Sequence, residues 1–120
     1  MFIDKATPQI RQIMFKYMDH ASTRFDYADY ELILGRFLSQ KSNIYHEEEA
    51  FNLLESIGRY ATYSQNRKIQ SYLQEIIHEG KFKSSLVENK CVELYITTFG
   101  RIIDRNRESD KKIVDFFEFV

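Results

Sequence analysis

Glycine and proline are scarce in this 120-residue chain, at four and one. A multi-stranded sheet needs turn residues at most of its reversals, and so few cannot supply them. Cysteine occurs once, at Cys91, so no intrachain disulfide can form. That absence favours a reducing, cytoplasmic setting, or a host cytoplasm if the source is a mobile element or host-associated microbe. No run approaches ~18 consecutive apolar residues, so no membrane span is expected. The first residues, MFIDKATPQI, carry Asp4 and lack the apolar stretch of a secretory signal. Charge of one sign is lacking too. The formal net charge is −1 and the pI about 6.3, which provides no global attraction to nucleic acid or to an anionic membrane.

Periodic apolar stripes are what the chain does have. Ile10, Ile13, Met14, Tyr17, Met18 and Ala21 recur every three to four residues. Tyr30, Ile33, Leu34, Phe37 and Leu38 do the same, as do Ile69, Tyr72, Leu73, Ile76 and Ile77. Such spacing lines one face of an α-helix. Several one-faced helices must bury those faces against each other. The expected fold is therefore all-α: a compact single domain over residues 1–120, with five or six helices and short loops. Ten Phe and eight Tyr, with no Trp, complete the picture. Phe, Tyr, Ile, Lys and Asn outnumber Gly, Ala, Arg and Pro by more than two to one, a balance that AT-rich codons produce.

Local signals place the helix ends. Thr7-Pro8 opens a first helix running to about Ala21, since Thr caps free amides and Pro suits the first helical position. Asp26 caps a second that ends near Lys41, followed by a loop over 40–45. A third opens at His46-Glu47-Glu48-Glu49, whose carboxylates complement the positive end of the helix dipole. Its stripe is Ala50, Leu53, Leu54, Ile57 and Ala61. The polar run 62–68 separates it from a fourth helix, with Ser64 as cap; one unbroken helix over 46–79 is the alternative. Gly80 ends the fourth. Ser85-Leu86-Val87-Glu88 reads as a capping box opening a fifth helix that Asn106 closes. Its apolar residues span about half the wheel, so it is expected to be central, over about 85–106. Gly100 is expected to admit a close neighbour. Ser109-Asp110 caps a short sixth helix carrying Ile113, Phe116, Phe117 and Val120.

Each candidate for chemistry fails on spacing. Glu75 and His78 have the i, i+3 spacing of a di-iron ligand pair, but such a site needs two pairs and two further Glu residues. His46-Glu47 starts a zinc-helix signature that requires His at position 50, where Ala stands. Asp26, Asp29 and Glu31 lack calcium-loop spacing. His20 and Cys91 would suit a nucleophile and base only if the thiol were accessible, and Cys91 lies on the apolar side of its helix. No phosphate-binding glycine loop is present. No catalytic residue, cofactor or metal is expected, and an enzyme is not the favoured class.

Two surface features remain. Phe15, Leu32 and Phe119 point away from the main stripes, and Tyr60 and Tyr63 lie at a stripe margin. These five are the candidate apolar anchors for a protein partner. Lys81, Lys83, Arg101, Arg105, Arg107 and Lys111 form a basic cluster interleaved with Asp104, Glu108 and Asp110. They are candidates for steering an acidic protein or, as the weaker alternative, for binding nucleic acid within a ribonucleoprotein or regulatory complex. The expected function is a small non-catalytic protein-binding module: an adaptor, accessory subunit or inhibitor acting by occlusion. If Phe15 and Leu32 are uncovered, a homodimer through the first two helices follows.

Overall fold

A computed structural model describes residues 7–39 and 47–118, with side chains through residue 104. Five α-helices lie within them: α1 Pro8–Ala21, α2 Tyr27–Ser39, α3 Glu48–Tyr60, α4 Tyr63–Glu79 and α5 Ser85–Glu118. A single 3-10 turn, Ser22–Arg24, joins α1 to α2. There is no strand among the described residues. The fold is an all-α bundle, as the stripes require.

The local signals act where short-range chemistry dictates. Thr7 Oγ1 accepts from the Ile10 amide, with Pro8 in the first turn. Asp26 and Asp29 cap α2 reciprocally: the Asp29 amide donates to Asp26 Oδ1 and the Asp26 amide to Asp29 Oδ2, at 2.9 and 3.0 Å. Gly80 terminates α4 at φ 71°, a left-handed conformation that glycine adopts without steric cost. Elsewhere the ends shift. The third and fourth helices are separate, broken at Ala61-Thr62, and the α4 cap is Thr62 in a capping box with Gln65 rather than Ser64. Ser84, not Ser85, caps α5 through the Val87 amide. The helix closed at Asn106 and the sixth helix are both corrected: α5 runs unbroken to Glu118. The expected loop over 40–45 lies outside the described residues.

α3 is the most enclosed helix, in contact with α1, α4 and α5. It buries Ala50, Phe51, Leu53, Leu54, Ile57 and Gly58. Full burial of a Leu or Ile removes enough apolar surface from water to contribute about 1.5–3 kcal/mol. α2 packs on α4, where the Phe37 and Tyr72 rings meet edge to face at 5.8 Å. α5 lies across α3 and α4 through one stripe of Val87, Cys91, Leu94, Thr98 and Ile102. It touches two helices, but its wide apolar arc is only half used, because Val92, Ile96 and Phe99 face outward.

The largest departure is the rotation of α1. The stripe of Ile10, Ile13 and Tyr17 faces outward, and the buried side holds Arg11 and Phe15. Met14 and Met18 lie half-buried at the boundary. At about 100° per residue, the core face lies about a quarter turn from the one the stripe predicts. Phe15, expected as an exposed anchor, is 2% exposed, with its ring 5.9 Å from that of Phe37. The reason is a long-range ion pair. Arg11 Nη2 donates to Glu47 Oε1 at 3.0 Å, and the aliphatic stem of Arg11 is drawn inward beside Phe15, one turn away.

Gly58, not Gly100, is the glycine that a neighbour requires. A Cβ at Gly58 would lie 2.5 Å from Arg101 Nη1 and 3.1 Å from Asn66 Oδ1, whereas nothing lies within 4 Å of one at Gly100. Asn66 Nδ2 donates to the carbonyls of Gly58, Ala61 and Thr62, which ties the end of α3 to the start of α4. The Arg101 guanidinium lies over the same turn, at the negative end of the α3 dipole. Gly58→Ala should therefore destabilise by about 1–2 kcal/mol. In an Arg101→Ala background the cost should shrink, because only the 3.1 Å approach of Asn66 Oδ1 then opposes the ~1 kcal/mol helical preference of Ala over Gly. Urea midpoints of the four proteins in this cycle measure the coupling; additive effects would refute the close contact.

Candidate binding surfaces

Chemistry needs enclosure, which clefts provide. One lies between α1 and α3, lined by Lys16, Asp19, His20, Glu48, Glu49 and Asn52. Asp19 is already engaged there: Ser56 Oγ donates to its Oδ1. A second, between α3 and α5, is lined by Phe51, Asn52, Glu55, Lys90, Glu93, Leu94 and Thr97, and Lys90 Nζ donates across it to Asn52 Oδ1 at 3.2 Å. Glu75 and His78 border a shallow surface depression on α4 with Ser71 and Gln74. Among the described residues no three His, Cys, Asp or Glu side chains converge as metal ligands. His46 lies outside those residues. Cys91 is fully buried, and that burial pushes its thiol up to about 12, far from the thiolate that nucleophilic chemistry requires.

The polar residues that are tightly held tie helices together. Glu47, read from sequence as a dipole complement, is instead buried between Arg11 at 3.0 Å and Lys83 Nζ at 3.5 Å. Glu48 and Glu49 do occupy the first turn of α3. On α2, Glu31 accepts from Lys68 at 3.0 Å and from the Gln65 amide at 3.1 Å, and these bonds hold its carboxyl below the usual range. Gln65 Nε2 also donates to the Tyr27 carbonyl, so α2 and α4 are joined at one end. Tyr30 donates to the Ser22 carbonyl at 3.4 Å, and burial raises its hydroxyl.

The basic cluster divides. Lys83 is committed to Glu47, and Arg101 to the end of α3. Lys81 stays exposed, 3.9 Å from Glu79. Arg105, Arg107 and Lys111 lie on the α5 backbone, with side chains outside the described residues.

The apolar candidates divide as well. Leu32, Tyr60 and Tyr63 are exposed, as their positions off the stripes imply. Phe15 is in the core, so the condition for a dimer through Phe15 and Leu32 is not met. Phe119 lies outside the described residues. Two exposed faces were missed. On α1, Ile10, Ile13 and Tyr17 lie at i, i+3 and i+7, with Ile13 at 68% and Tyr17 at 74% exposed. On α5, Val92, Ile96 and Phe99 continue along one side, with Ile96 at 64%. Arg11 was the available signal for α1: an arginine about a quarter turn from the stripe has to be either solvated or paired, and pairing turns that side inward.

The chain matches no protein-family profile, no curated protein and no solved structure. Among the described residues, no helix is long and apolar enough to cross a membrane.

Proposed function

We propose that this protein is a small non-catalytic binding module whose α1 face docks into an apolar groove of another protein. The observation that carries this reading is the exposed trio Ile10, Ile13 and Tyr17 on one side of a well-capped helix. Apolar anchors at i, i+3 and i+7 suit recognition of a helix by a hydrophobic groove. The helix is held rigidly by Phe15 and the Arg11–Glu47 pair, so little ordering cost is incurred on binding. Adaptor, accessory subunit and inhibitor all fit such a surface, since each acts by bridging or occlusion. The nucleic-acid alternative draws no support from Lys83 and Arg101, which are both engaged within the fold.

Ile13→Asp tests the reading. Ile13 is exposed, so stability should change by no more than about 0.5 kcal/mol. A partner captured by the wild type from its native host should be lost, with affinity lowered about 30-fold or more, as at an interface hot spot. Undiminished binding of that partner by Ile13→Asp would exclude α1 as the docking face.

A further inference from the structure

The joint between α3 and α4 is built without the usual turn residues. Tyr60-Ala61-Thr62-Tyr63 carries neither glycine nor proline, and none of these residues has a positive φ. α3 ends and α4 begins because Ala61 and Thr62 are extended, with φ −74° and ψ 159° at the first and φ −71° and ψ 169° at the second. Their φ angles already suit an α-helix, so two ψ rotations separate the bend from a straight continuation. The backbone ladder reaches the joint from both sides: the Ala61 amide donates to the Ile57 carbonyl and the Asn66 amide to the Thr62 carbonyl. The buried stripe does not stop there at all. Leu54, Ile57, Ala61, Gln65, Ile69 and Tyr72 recur every three or four residues through the joint, and each is buried. One unbroken helix from Glu48 to Glu79 would carry them on a single face. Side chains hold the bend instead. Thr62 Oγ1 accepts from the Gln65 amide at 3.1 Å, Gln65 Oε1 accepts from the Thr62 amide at 3.0 Å, and Asn66 Nδ2 reaches back to the Gly58 carbonyl at 3.1 Å.

We infer that this joint is a hinge, and that two copies of the chain exchange their α4–α5 units by straightening it. In the exchanged dimer α3 and α4 form one helix about 48 Å long. α4 and α5 of each copy then pack on α1, α2 and α3 of the other. The contacts are those of the closed chain, now made between copies: Phe37 with Tyr72, Glu31 with Lys68, and Asn52 with Lys90. Only the joint differs. The side-chain bonds of Thr62, Gln65 and Asn66 give way to backbone bonds from the amides of residues 62–65 to the carbonyls one turn earlier. A short connection whose straight form satisfies the same backbone groups is what exchange of identical elements needs. Thr62 sets the balance. It caps α4 in the bent form, and as a β-branched residue it is a poorer helix former than Ala in the straight one. The exchange goes beyond the α1 docking reading and rests on it in one respect only: the dimer carries two α1 faces, so a partner with two grooves would be held by both.

Sedimentation of the full chain at high micromolar concentration, after passage through its urea transition and back, tests this. Thr62→Ala should raise the dimer constant about 100-fold over wild type, tenfold from each of two hinges, with the helical circular dichroism kept. The dimer runs at twice the 14.4 kDa of one chain. Thr62 is exposed, so the change leaves the core intact; should the variant not fold, Thr62→Lys removes the same cap. Tyr63→Pro should act in the opposite direction. Proline suits the first position of α4 and the extended residue before it, but it breaks a continuous helix. Thr62→Ala/Tyr63→Pro should therefore return to monomer. Linking distinguishes exchange from ordinary association. Asn52→Cys chains refolded together with Lys90→Cys chains, both in the Thr62→Ala background, should be joined by a short bis-maleimide, since these positions then meet between copies. Neither chain should link to its own kind, and buried Cys91 does not compete. A Thr62→Ala chain that stays monomeric, a dimer that survives Tyr63→Pro, or a dimer whose two cysteine chains do not link would each overturn the hinge. Ile13→Asp should exchange as wild type does, and Tyr63→Pro should keep α1 binding, so failure of the hinge and failure of the docking face are separable.

Discussion

Phe15→Ala should lower stability by about 3–5 kcal/mol, a large share of what a domain of this size possesses. The ring is 2% exposed and lies against Phe37, which in turn meets Tyr72, so one side chain joins α1 to α2 and, through Phe37, to α4. Its removal forfeits the transfer energy of the ring and leaves a cavity between three helices that cannot easily collapse. The neighbouring apolar residue on the outward side supplies the contrast. Ile13→Ala, two residues earlier, should change stability by less than about 0.5 kcal/mol. Urea denaturation of both variants measures the orientation of α1 directly. Equal costs, or a larger cost at Ile13, would mean that the helix presents its stripe to the core after all.

Glu47→Ala should be of similar size, about 3 kcal/mol, because it removes the carboxylate that a buried guanidinium and Lys83 share. The Arg11 and Glu47 side chains are 9% and 8% exposed and meet at 3.0 Å, while Lys83 approaches the same oxygen from a half-exposed position. Desolvation of both charges is the large opposing term, so the pair positions α1 more than it stabilises the fold. The double variant Arg11→Met/Glu47→Leu should accordingly lose much less than Glu47→Ala alone. Lys83→Ala should cost under about 1 kcal/mol, as expected where water already screens the charge. Added salt should leave the Glu47→Ala effect almost unchanged, since a buried pair is poorly screened. A double variant as unstable as the single one would indicate that the pair makes a net contribution well beyond its desolvation.

These two residues also show where sequence reading succeeds and where it stops. Thr7, Asp26 and Gly80 end their helices as their side chains and backbone preferences dictate. Each acts through atoms three or four residues away, so the necessary information is adjacent in the chain. Asn106 and Ser109-Asp110 carry similar end signals, yet α5 passes through them as helix. A cap residue only favours a boundary, and helix propagation overrides it when no competing turn forms. The exposure of Leu32 and Tyr60 follows from their angle to a single dominant stripe. Phe15 misleads because α1 has apolar residues over two overlapping arcs, and periodicity does not choose between them.

From sequence alone come the all-helical class, the number of long apolar faces and most of the helix ends, because each arises from contacts within one or two turns. Tertiary structure alone decides which face of α1 turns inward, which glycine must stay small and which side of α5 is left bare. Those outcomes depend on partners 36 residues apart for Arg11 and Glu47, and on two different helices, α3 and α5, for Gly58 and Arg101. A helix can rotate about its axis at little local cost, so only the shape and charge of its neighbours select the angle.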